Sequence, residues 1–300
     1  MSERYAELHR HLDGSLRAST LEALAAEQGV SLPAAVRFRK GMGLQAALAC
    51  FEVTLSVLQG PDAVERVARE MCEDGVEEGL AGLEIRFAPQ LHKGAEMETI
   101  VDAALSGVGG RAGLILCALY GEPPALVERL VSVAASRPGV VAIDLAGGPH
   151  GGHDFSMRDY RDAFTRAREL GIHRTVHAGE GRPPEEIRVA VEQLHAERIG
   201  HGTTLLDDPA VLDLVLERGV TIEACPTSNV HTGILEAPTD HPLSRWLDMG
   251  LKVAVCTDNT LLSDVTLPEE LSRVARIDGM DAAKLARIAE CSRAALFQRG

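Results

Sequence analysis

Residues 139–148, GVVAIDLAGG, form the segment that indicates the fold most directly. The residues from Val140 to Ala146 are apolar apart from Asp144, and two glycines follow them. An unbroken apolar run of this length, without polar alternation, is typical of a strand in a parallel sheet whose faces are both covered. The segment therefore predicts a buried parallel strand with one acidic side chain near its carboxyl end.

Seven other segments have the same character, and longer amphipathic stretches separate them. The predicted strands are residues 6–11, 83–88, 114–119, 174–177, 198–201, 220–225 and 252–257. Helical spacing of apolar residues is clearest in residues 63–79 and 209–218. The chain lacks the Gly-x-Gly-x-x-Gly turn of an open dinucleotide-binding sheet. We therefore predict an α/β fold, a single (β/α)8 TIM barrel, with residues 1–300 as one domain.

Two predictions concern the region after the first strand. Residues 29–60 make a longer connection than a strand and a helix ordinarily need, and they mix Pro33, Arg37 and Gly43 with apolar residues. We predict extra helices here that cover the carboxyl-terminal mouth of the barrel. Just upstream, Ser19 and Glu22 have the spacing of a capping box, which predicts the start of the first helix.

The composition argues against several classes of protein. The formal net charge is −14 and aromatic residues make up 3% of the chain, which disfavours binding to phosphate backbones and stacking on single-stranded bases. No apolar run approaches the roughly 20 residues of a membrane helix, and MSERYAELHR lacks the apolar core of a signal peptide. We therefore expect no nucleic-acid or membrane partner and a cytoplasmic location. The 6 cysteines form no C-x-x-C pair, so reduced thiols are expected.

Metal-binding side chains lie at the carboxyl ends of the predicted strands, which meet at one face of a barrel. His9 and His11 are separated by one residue, so both imidazoles point to the same face of the first strand. His177 ends the fifth strand and Asp258 follows the eighth. Three imidazoles and one carboxylate, with a position left for water, are typical of a catalytic zinc site, although iron or another divalent ion fits the same ligands. We predict one Zn²⁺ per chain at these four residues.

Two further polar residues are catalytic candidates. Glu180 lies beyond the end of the fifth strand in HAGE, where a protonated carboxyl can act as a general acid. The alternative role of Glu180 is to cap or ion-pair the next helix. His201, in RIGHG, is a candidate to orient or deprotonate a catalytic water. The alternative role of His201 is that of a core histidine bonded to backbone.

Six motifs follow one another along the chain: ELHRHLDGS, IDLAG, VHAGE, RIGHG, CPTSN and CTDN, between about residues 6 and 260. In this order they resemble the adenosine deaminase family of the metal-dependent amidohydrolase superfamily. The resemblance implies that the four residues above bind zinc and that Glu180 protonates N1 of a purine. It also implies that His201 and Asp258 position the water that attacks C6, from which ammonia leaves.

The resemblance extends to the substrate. It implies that Gly147 contacts the purine, that Asp13 reaches a ribose hydroxyl and that His11 belongs to the substrate site. Asn259 stands where many members have a second Asp, and its amide NH₂ can donate to an unprotonated purine N7. Arg10 is larger than the aliphatic residue usual between the two histidines. Strand geometry points Arg10 away from the metal, and we predict a buried ion pair there.

The reaction implied is removal of the 6-amino group of adenosine or deoxyadenosine, giving inosine or deoxyinosine and ammonia. The main alternative substrate is 6-aminodeoxyfutalosine, an adenine nucleoside with a benzoate at its 5′ end. Its carboxylate requires a cation, for which Arg17, Arg39 and Lys40 are candidates near the predicted mouth. Adenine and N6-substituted AMP are further alternatives.

Two other classes of function are less well supported. A catalytically silent binding barrel predicts loss of a metal ligand or of the acid, and every position is present. A dinuclear amide or phosphoester hydrolase predicts a bridging lysine or glutamate at the end of the fourth strand, where IDLAG has neither. A homo-oligomer is compatible with the sequence.

Overall fold

Eight parallel strands form one closed ring in the computed structural model, which describes residues 4–34 and 36–298. Each strand pairs with its neighbours in chain order, and a bridge between Arg10 and Asp258 joins the first strand to the end of the last. The strands are β1 Ala6–His11, β2 Gly82–Phe87, β3 Gly113–Leu119, β4 Val140–Ala146, β5 His173–Ala178, β6 Arg198–His201, β7 Thr221–Ala224 and β8 Lys252–Val255. The predicted (β/α)8 barrel is confirmed.

Helices surround this ring. They are α1 Ala18–Gln28, α2 Leu44–Val57, α3 Pro61–Glu77, α4 Met97–Val108, α5 Pro124–Ala135, α6 Arg161–Glu169, α7 Glu185–Glu192, α8 Pro209–Arg218, α9 Pro226–His231, α10 Leu243–Asp248, α11 Leu267–Val274 and α12 Ala282–Ala294. Short 3₁₀ turns occupy Pro89–Leu91, Met157–Tyr160, Leu205–Asp207 and Pro238–Asp240. Valine, leucine and isoleucine side chains between the strands and the helices form the main apolar core.

The bounds of α8 agree with the prediction, and local chemistry explains them. Asp208 accepts hydrogen bonds from the backbone N–H groups of Ala210 and Val211 and so caps the amino end, where Pro209 takes the first helical position. At the other end, Gly219 has φ of +64°, the left-handed conformation that glycine adopts without strain. The two signals together delimit the helix.

The predicted capping box at Ser19 is wrong. Helix α1 begins at Ala18, and the backbone N–H groups of Thr20 and Leu21 bond to the carbonyl of Arg17. No side chain caps the helix. Ser19 therefore lies inside the first turn and exposed to solvent, where its hydroxyl has no cap position to fill.

The region between β1 and β2 covers the mouth of the barrel, as predicted. It contains α1, α2 and α3, and α2 lies across the carboxyl ends of the strands. Leu44, Leu48 and Phe51 of α2 line a pocket together with His11 and His177 from the strands. The extra helical structure thus forms one wall of the cavity at the barrel mouth.

Below this cavity, charged side chains fill the inside of the barrel. Glu84, Arg86, Asp144, Arg198 and Glu223 are each no more than 1% exposed. Buried charges are stable only when paired, and these side chains contact one another across the barrel.

Two expectations about the chain as a whole can be compared with the structure. All 6 cysteines are unpaired, in agreement with the prediction of reduced thiols. Within residues 4–34 and 36–298, no helix combines the length and apolar character needed to cross a bilayer.

Candidate active site

Four predicted ligands converge at the carboxyl end of the barrel. His9 and His11 project from β1, His177 lies near the end of β5, and Asp258 follows β8. One potential ligand atom from each residue lies within 4.8 Å of the others. The Nε2 atoms of His11 and His177 are 3.3 Å apart, and Oδ1 of Asp258 is 3.3 Å from Nε2 of His11. The barrel therefore brings together residues from its first strand and from the turn after its last strand, near opposite ends of the chain.

The imidazoles of His9 and His177 are oriented from behind by carboxylates. Nδ1 of His9 lies 2.7 Å from Oε2 of Glu223, and Nδ1 of His177 lies 3.0 Å from Oδ2 of Asp144. A hydrogen bond at Nδ1 selects the tautomer whose Nε2 lone pair is free. Nε2 of His9 is buried and, among the residues that the structure describes, has no hydrogen-bond partner. A buried nitrogen with a free lone pair, close to three other atoms that can bind a metal, is typical of a divalent metal site. The residues present therefore fit a metal ion.

Asp258 is held by the turn after β8. Its φ of +62° is unusual for a residue other than glycine and turns the side chain back over the barrel. Oδ2 accepts a hydrogen bond of 2.6 Å from the hydroxyl of Ser228, which leaves Oδ1 facing His9 and His11. Burial opposes ionisation, but the contacts with His9 and His11 hold the pKa of Asp258 well below its usual value.

His201 lies beside these residues and also has a positive φ, +66°. Burial holds the pKa of His201 well below its usual value, so the ring is neutral. Its Nδ1 is 3.2 Å from the side-chain amide of Asn229. Cys225 is close enough to share a ligand set with His201 and Asp258, but burial raises the pKa of its thiol well above the ordinary value and disfavours the thiolate that binds metals.

Glu180 is almost completely enclosed, and this sets its protonation. Burial raises the pKa of Glu180 to about 7; Arg182 opposes the shift and the charge of Asp258 adds to it. A carboxyl group with this pKa retains its proton in a large share of molecules at neutral pH. Glu180 can therefore supply a proton to a basic atom in the cavity.

The cavity has two connected parts, which share His11, Leu48, Phe51 and Gly147. The inner part contains the candidate chemistry, with Glu180, His177, His201, Asp258 and Asn259 in its wall. The outer part has a volume of about 400 Å³ and extends along the ends of β2, β3 and β4. Its polar lining consists of Asp13, Gln45, Glu52, Tyr120, His150 and His153. A ligand can therefore reach the inner part with one end and fill the outer part with the other.

The predicted substrate residues all line this cavity. Asp13 lines the outer part; burial raises its pKa to about 7, and its Oδ1 has no hydrogen-bond partner. Gly147, at φ of +74°, and His11 line both parts. Asn259 lines the inner part. Its Oδ1 packs closely against Gly14, because a Cβ added to that glycine would lie 1.7 Å from this oxygen.

The three cations proposed for a substrate carboxylate are not at the cavity, and this prediction is wrong. Arg17 pairs with Asp74, on α3, at 2.6 Å. Lys40 pairs with Glu236 and is 60% exposed, and Arg39 is also exposed. Neither part of the cavity has an arginine or a lysine in its described lining. These long side chains contact acidic partners or solvent, and therefore they do not line the cavity at the mouth of the barrel.

Arg10 takes the predicted structural role. Its guanidinium lies on the outer side of β1 and makes a two-pronged contact with Glu78, at 2.8 and 3.0 Å. Sequence reasoning missed Glu223 and Arg86, which lie behind the imidazoles. The available signal was a charged residue inside an apolar strand, in TIEA and in LEIRF.

Comparisons with known proteins agree with this geometry. The family model described as adenosine deaminase matches residues 5–297. An adenosine deaminase of Clostridium kluyveri is 36% identical over 286 residues, which cover 89% of this chain and 81% of that protein. A probable adenosine deaminase of Dictyostelium discoideum is also 36% identical, over 88% of this chain but only 36% of its own length.

Among solved structures, the adenine deaminase of Arthrobacter aurescens is 26% identical and superimposes with a TM-score of 0.87. The superposition covers 97% of this chain and 93% of that one. The similarity therefore extends over the whole barrel and its covering helices.

Proposed function

Because the chain belongs to the adenosine deaminase family and is a hydrolase of purine C–N bonds, we propose that it deaminates adenosine and deoxyadenosine with His9, His11, His177 and Asp258 as metal ligands. The observation that carries the proposal is the position of Glu180. This carboxyl, with a pKa of about 7, lines the same small pocket as the four clustered ligands.

The metal we propose is Zn²⁺. Nε2 of the three histidines and Oδ1 of Asp258 would hold it, and the two carboxylates behind His9 and His177 set the tautomers of these rings. When bound, zinc lowers the pKa of a water molecule towards 7 and so supplies the nucleophile at neutral pH. Three imidazoles and one carboxylate form a site with room for this water.

The protein's own residues handle the protons. Glu180 donates its proton to N1 of the purine, which makes C6 more electrophilic. Neutral His201, held by Asn229, orients the attacking water and can accept its proton. The amino group takes up the proton held by His201 and leaves C6 as ammonia, while the C6 hydroxyl loses its proton to give the carbonyl and Glu180 regains one. Leu44, Leu48 and Phe51 of α2 limit the access of other water to the pocket.

The rest of the substrate lies across both parts of the cavity. The Asn259 amide donates to purine N7, since its Oδ1 is turned against Gly14 and its NH₂ is left for the ligand. Gly147 permits close approach of the purine ring because it has no side chain. Asp13 accepts from a ribose hydroxyl with its unpartnered Oδ1.

The test is ammonia release by zinc-loaded protein with adenosine, deoxyadenosine, adenine, AMP and 6-aminodeoxyfutalosine. We expect rapid turnover of the first two. Glu180→Gln should lower kcat by about 10²–10⁴-fold, the usual contribution of general acid catalysis, while zinc content is unchanged. Glu128→Gln changes a half-buried carboxylate paired with Arg166 on the outside of the barrel; it is the matched control and should keep full activity. Absence of turnover with all five compounds would refute the assignment.

The volume of the outer cavity favours a second candidate substrate, 6-aminodeoxyfutalosine. Beyond Asp13 the cavity continues to Tyr120, His150 and His153, where an aromatic 5′ substituent can lie. His150 and His153 are then the groups available to a carboxylate in place of an arginine or a lysine. His150→Ala should leave adenosine turnover unchanged but reduce kcat/KM for the benzoate compound, if that is the substrate.

A further inference from the structure

Arg86 connects the two carboxylates that orient His9 and His177. Nη1 of Arg86 donates to Oδ2 of Asp144 at 2.9 Å, and Nη2 donates to Oε2 of Glu223 at 2.8 Å. The guanidinium and both carboxylates are fully buried. One planar guanidinium therefore contacts both carboxylates, and these carboxylates hold the imidazoles of His9 and His177 from two sides of the barrel.

Two series of side-chain contacts begin at Arg86. In one series Glu223 connects Arg86 to Nδ1 of His9, and in the other Asp144 connects Arg86 to Nδ1 of His177. Nη2 also donates to the carbonyl of Leu8 at 2.6 Å, next to His9 in β1. Arg86 thus restrains both imidazoles and the backbone of one of them.

The electrostatics agree with a role for Arg86 in this position. Two carboxylates facing each other inside a closed barrel repel, and each loses hydration. The Arg86 guanidinium donates to both carboxylates and so offsets this repulsion. Both carboxylates are thereby kept in place as acceptors for the two Nδ1–H groups.

We propose that Arg86 is a positioning residue that sets the affinity and geometry of the metal site by holding Glu223 and Asp144 in register behind His9 and His177. The inference rests on the proposed metal site. Arg86 lines neither part of the cavity, so it acts through other residues and does not touch the substrate. Its contribution should appear in metal binding and in coordination geometry, with little change in substrate selectivity.

The experiment measures zinc affinity of the metal-stripped protein by competition with a chromophoric chelator. Arg86→Met should raise the zinc Kd by about 10–100-fold, the usual effect of removing a group that supports metal ligands. Arg86→Lys keeps the charge but cannot form two parallel bonds with both carboxylates, so its Kd should also rise at least several-fold. Arg287→Lys removes a guanidinium that bonds the carbonyls of Leu247 and Leu251, away from the ligand cluster, and should leave the Kd unchanged.

A second readout separates positioning from a general loss of stability. Cobalt(II) in place of zinc reports ligand geometry through its visible absorption bands, and these should change in Arg86→Lys but not in Arg287→Lys. Thermal unfolding of the stripped proteins identifies variants that fail to fold; if Arg86→Met fails, the folded Arg86→Lys protein decides. A zinc Kd within threefold of the parent and an unchanged cobalt spectrum in a folded Arg86 variant would overturn the inference. Failure of the parent protein to bind zinc would instead refute the proposed metal site itself.

Discussion

Nδ1 of His9 lies 2.7 Å from Oε2 of Glu223, and both side chains are completely buried. The remaining contacts of this carboxylate come from the hydroxyl of Thr175 and the guanidinium groups of Arg86 and Arg198. Glu223 is therefore surrounded by polar and charged partners inside the barrel. This leaves the unpartnered Nε2 of His9 directed at the cluster of ligands.

We expect Glu223→Gln to weaken zinc binding by about tenfold or more, because a neutral amide orients the imidazole less strongly than a carboxylate. The matched control is Glu84→Gln. Glu84 is equally buried, but it accepts from the Arg198 guanidinium and from the backbone N–H of Phe297 and not, within the described residues, from an imidazole of the ligand cluster. Chelator competition on both stripped proteins measures the difference. Equal zinc affinities for the two variants would contradict the role given to Glu223.

Asp13→Ala should separate nucleosides from the free base. The variant loses an acceptor for a ribose hydroxyl, and hydrogen bonds to charged groups contribute about 1.5–3 kcal/mol, so kcat/KM for adenosine should fall by roughly 10–100-fold. Any turnover of adenine should be within threefold of the parent value, since adenine has no ribose. Steady-state kinetics with both compounds provide the test. A parallel loss with both substrates would place Asp13 elsewhere in the mechanism.

Gly14→Ala should impair recognition of the purine. A Cβ at Gly14 would lie 1.7 Å from Oδ1 and 2.6 Å from Cγ of Asn259, so the amide must move out of its position. We expect KM for adenosine to rise about tenfold, the equivalent of one hydrogen bond of roughly 1.4 kcal/mol. Gly60→Ala is the control, because nothing lies within 4 Å of its added Cβ. Unchanged KM in Gly14→Ala would show that Asn259 is not required in its present orientation.

Stability should depend on pH through His241. This ring is fully buried beside Trp246, and neither of its nitrogens has a hydrogen-bond partner within the described part of the chain. Burial lowers the pKa of His241 to about 3. The unfolded chain binds a proton near pH 6.5 while the folded chain does not. Burial of neutral His241 therefore contributes fully to the free energy of unfolding above about pH 6.5. As pH falls towards 3, the free energy of unfolding decreases by up to about 1.4 kcal/mol per pH unit.

His241→Phe removes this titrating group while keeping an aromatic ring in the site. Urea unfolding of the parent and the variant, both stripped of metal, gives the difference in unfolding free energy. Between pH 7 and 5 we expect this difference to change by about 2 kcal/mol in favour of the variant. Two curves that stay parallel over this range would exclude the role of His241.

Much of the site could be predicted because it follows from periodicity and from strand ends. Side chains two residues apart on a strand share a face, which places His9 and His11 together without any knowledge of the rest. Residues just after parallel strands meet at one face of a barrel, which adds His177, Glu180 and Asp258. The sequence patterns therefore determined the eight strands and the cluster of candidate metal ligands, and the resemblance to a known family gave the class of reaction.

Only the tertiary structure decided what lies behind and around those residues. Arg86, Asp144 and Glu223 come from three strands that are not neighbours in the chain, and they meet only because the sheet closes into a barrel. Of the cations expected at the mouth, Arg17 instead pairs with Asp74 on α3 and Lys40 pairs with Glu236. Long flexible side chains can reach several partners, so their contacts depend on packing between distant elements, which local sequence patterns do not contain.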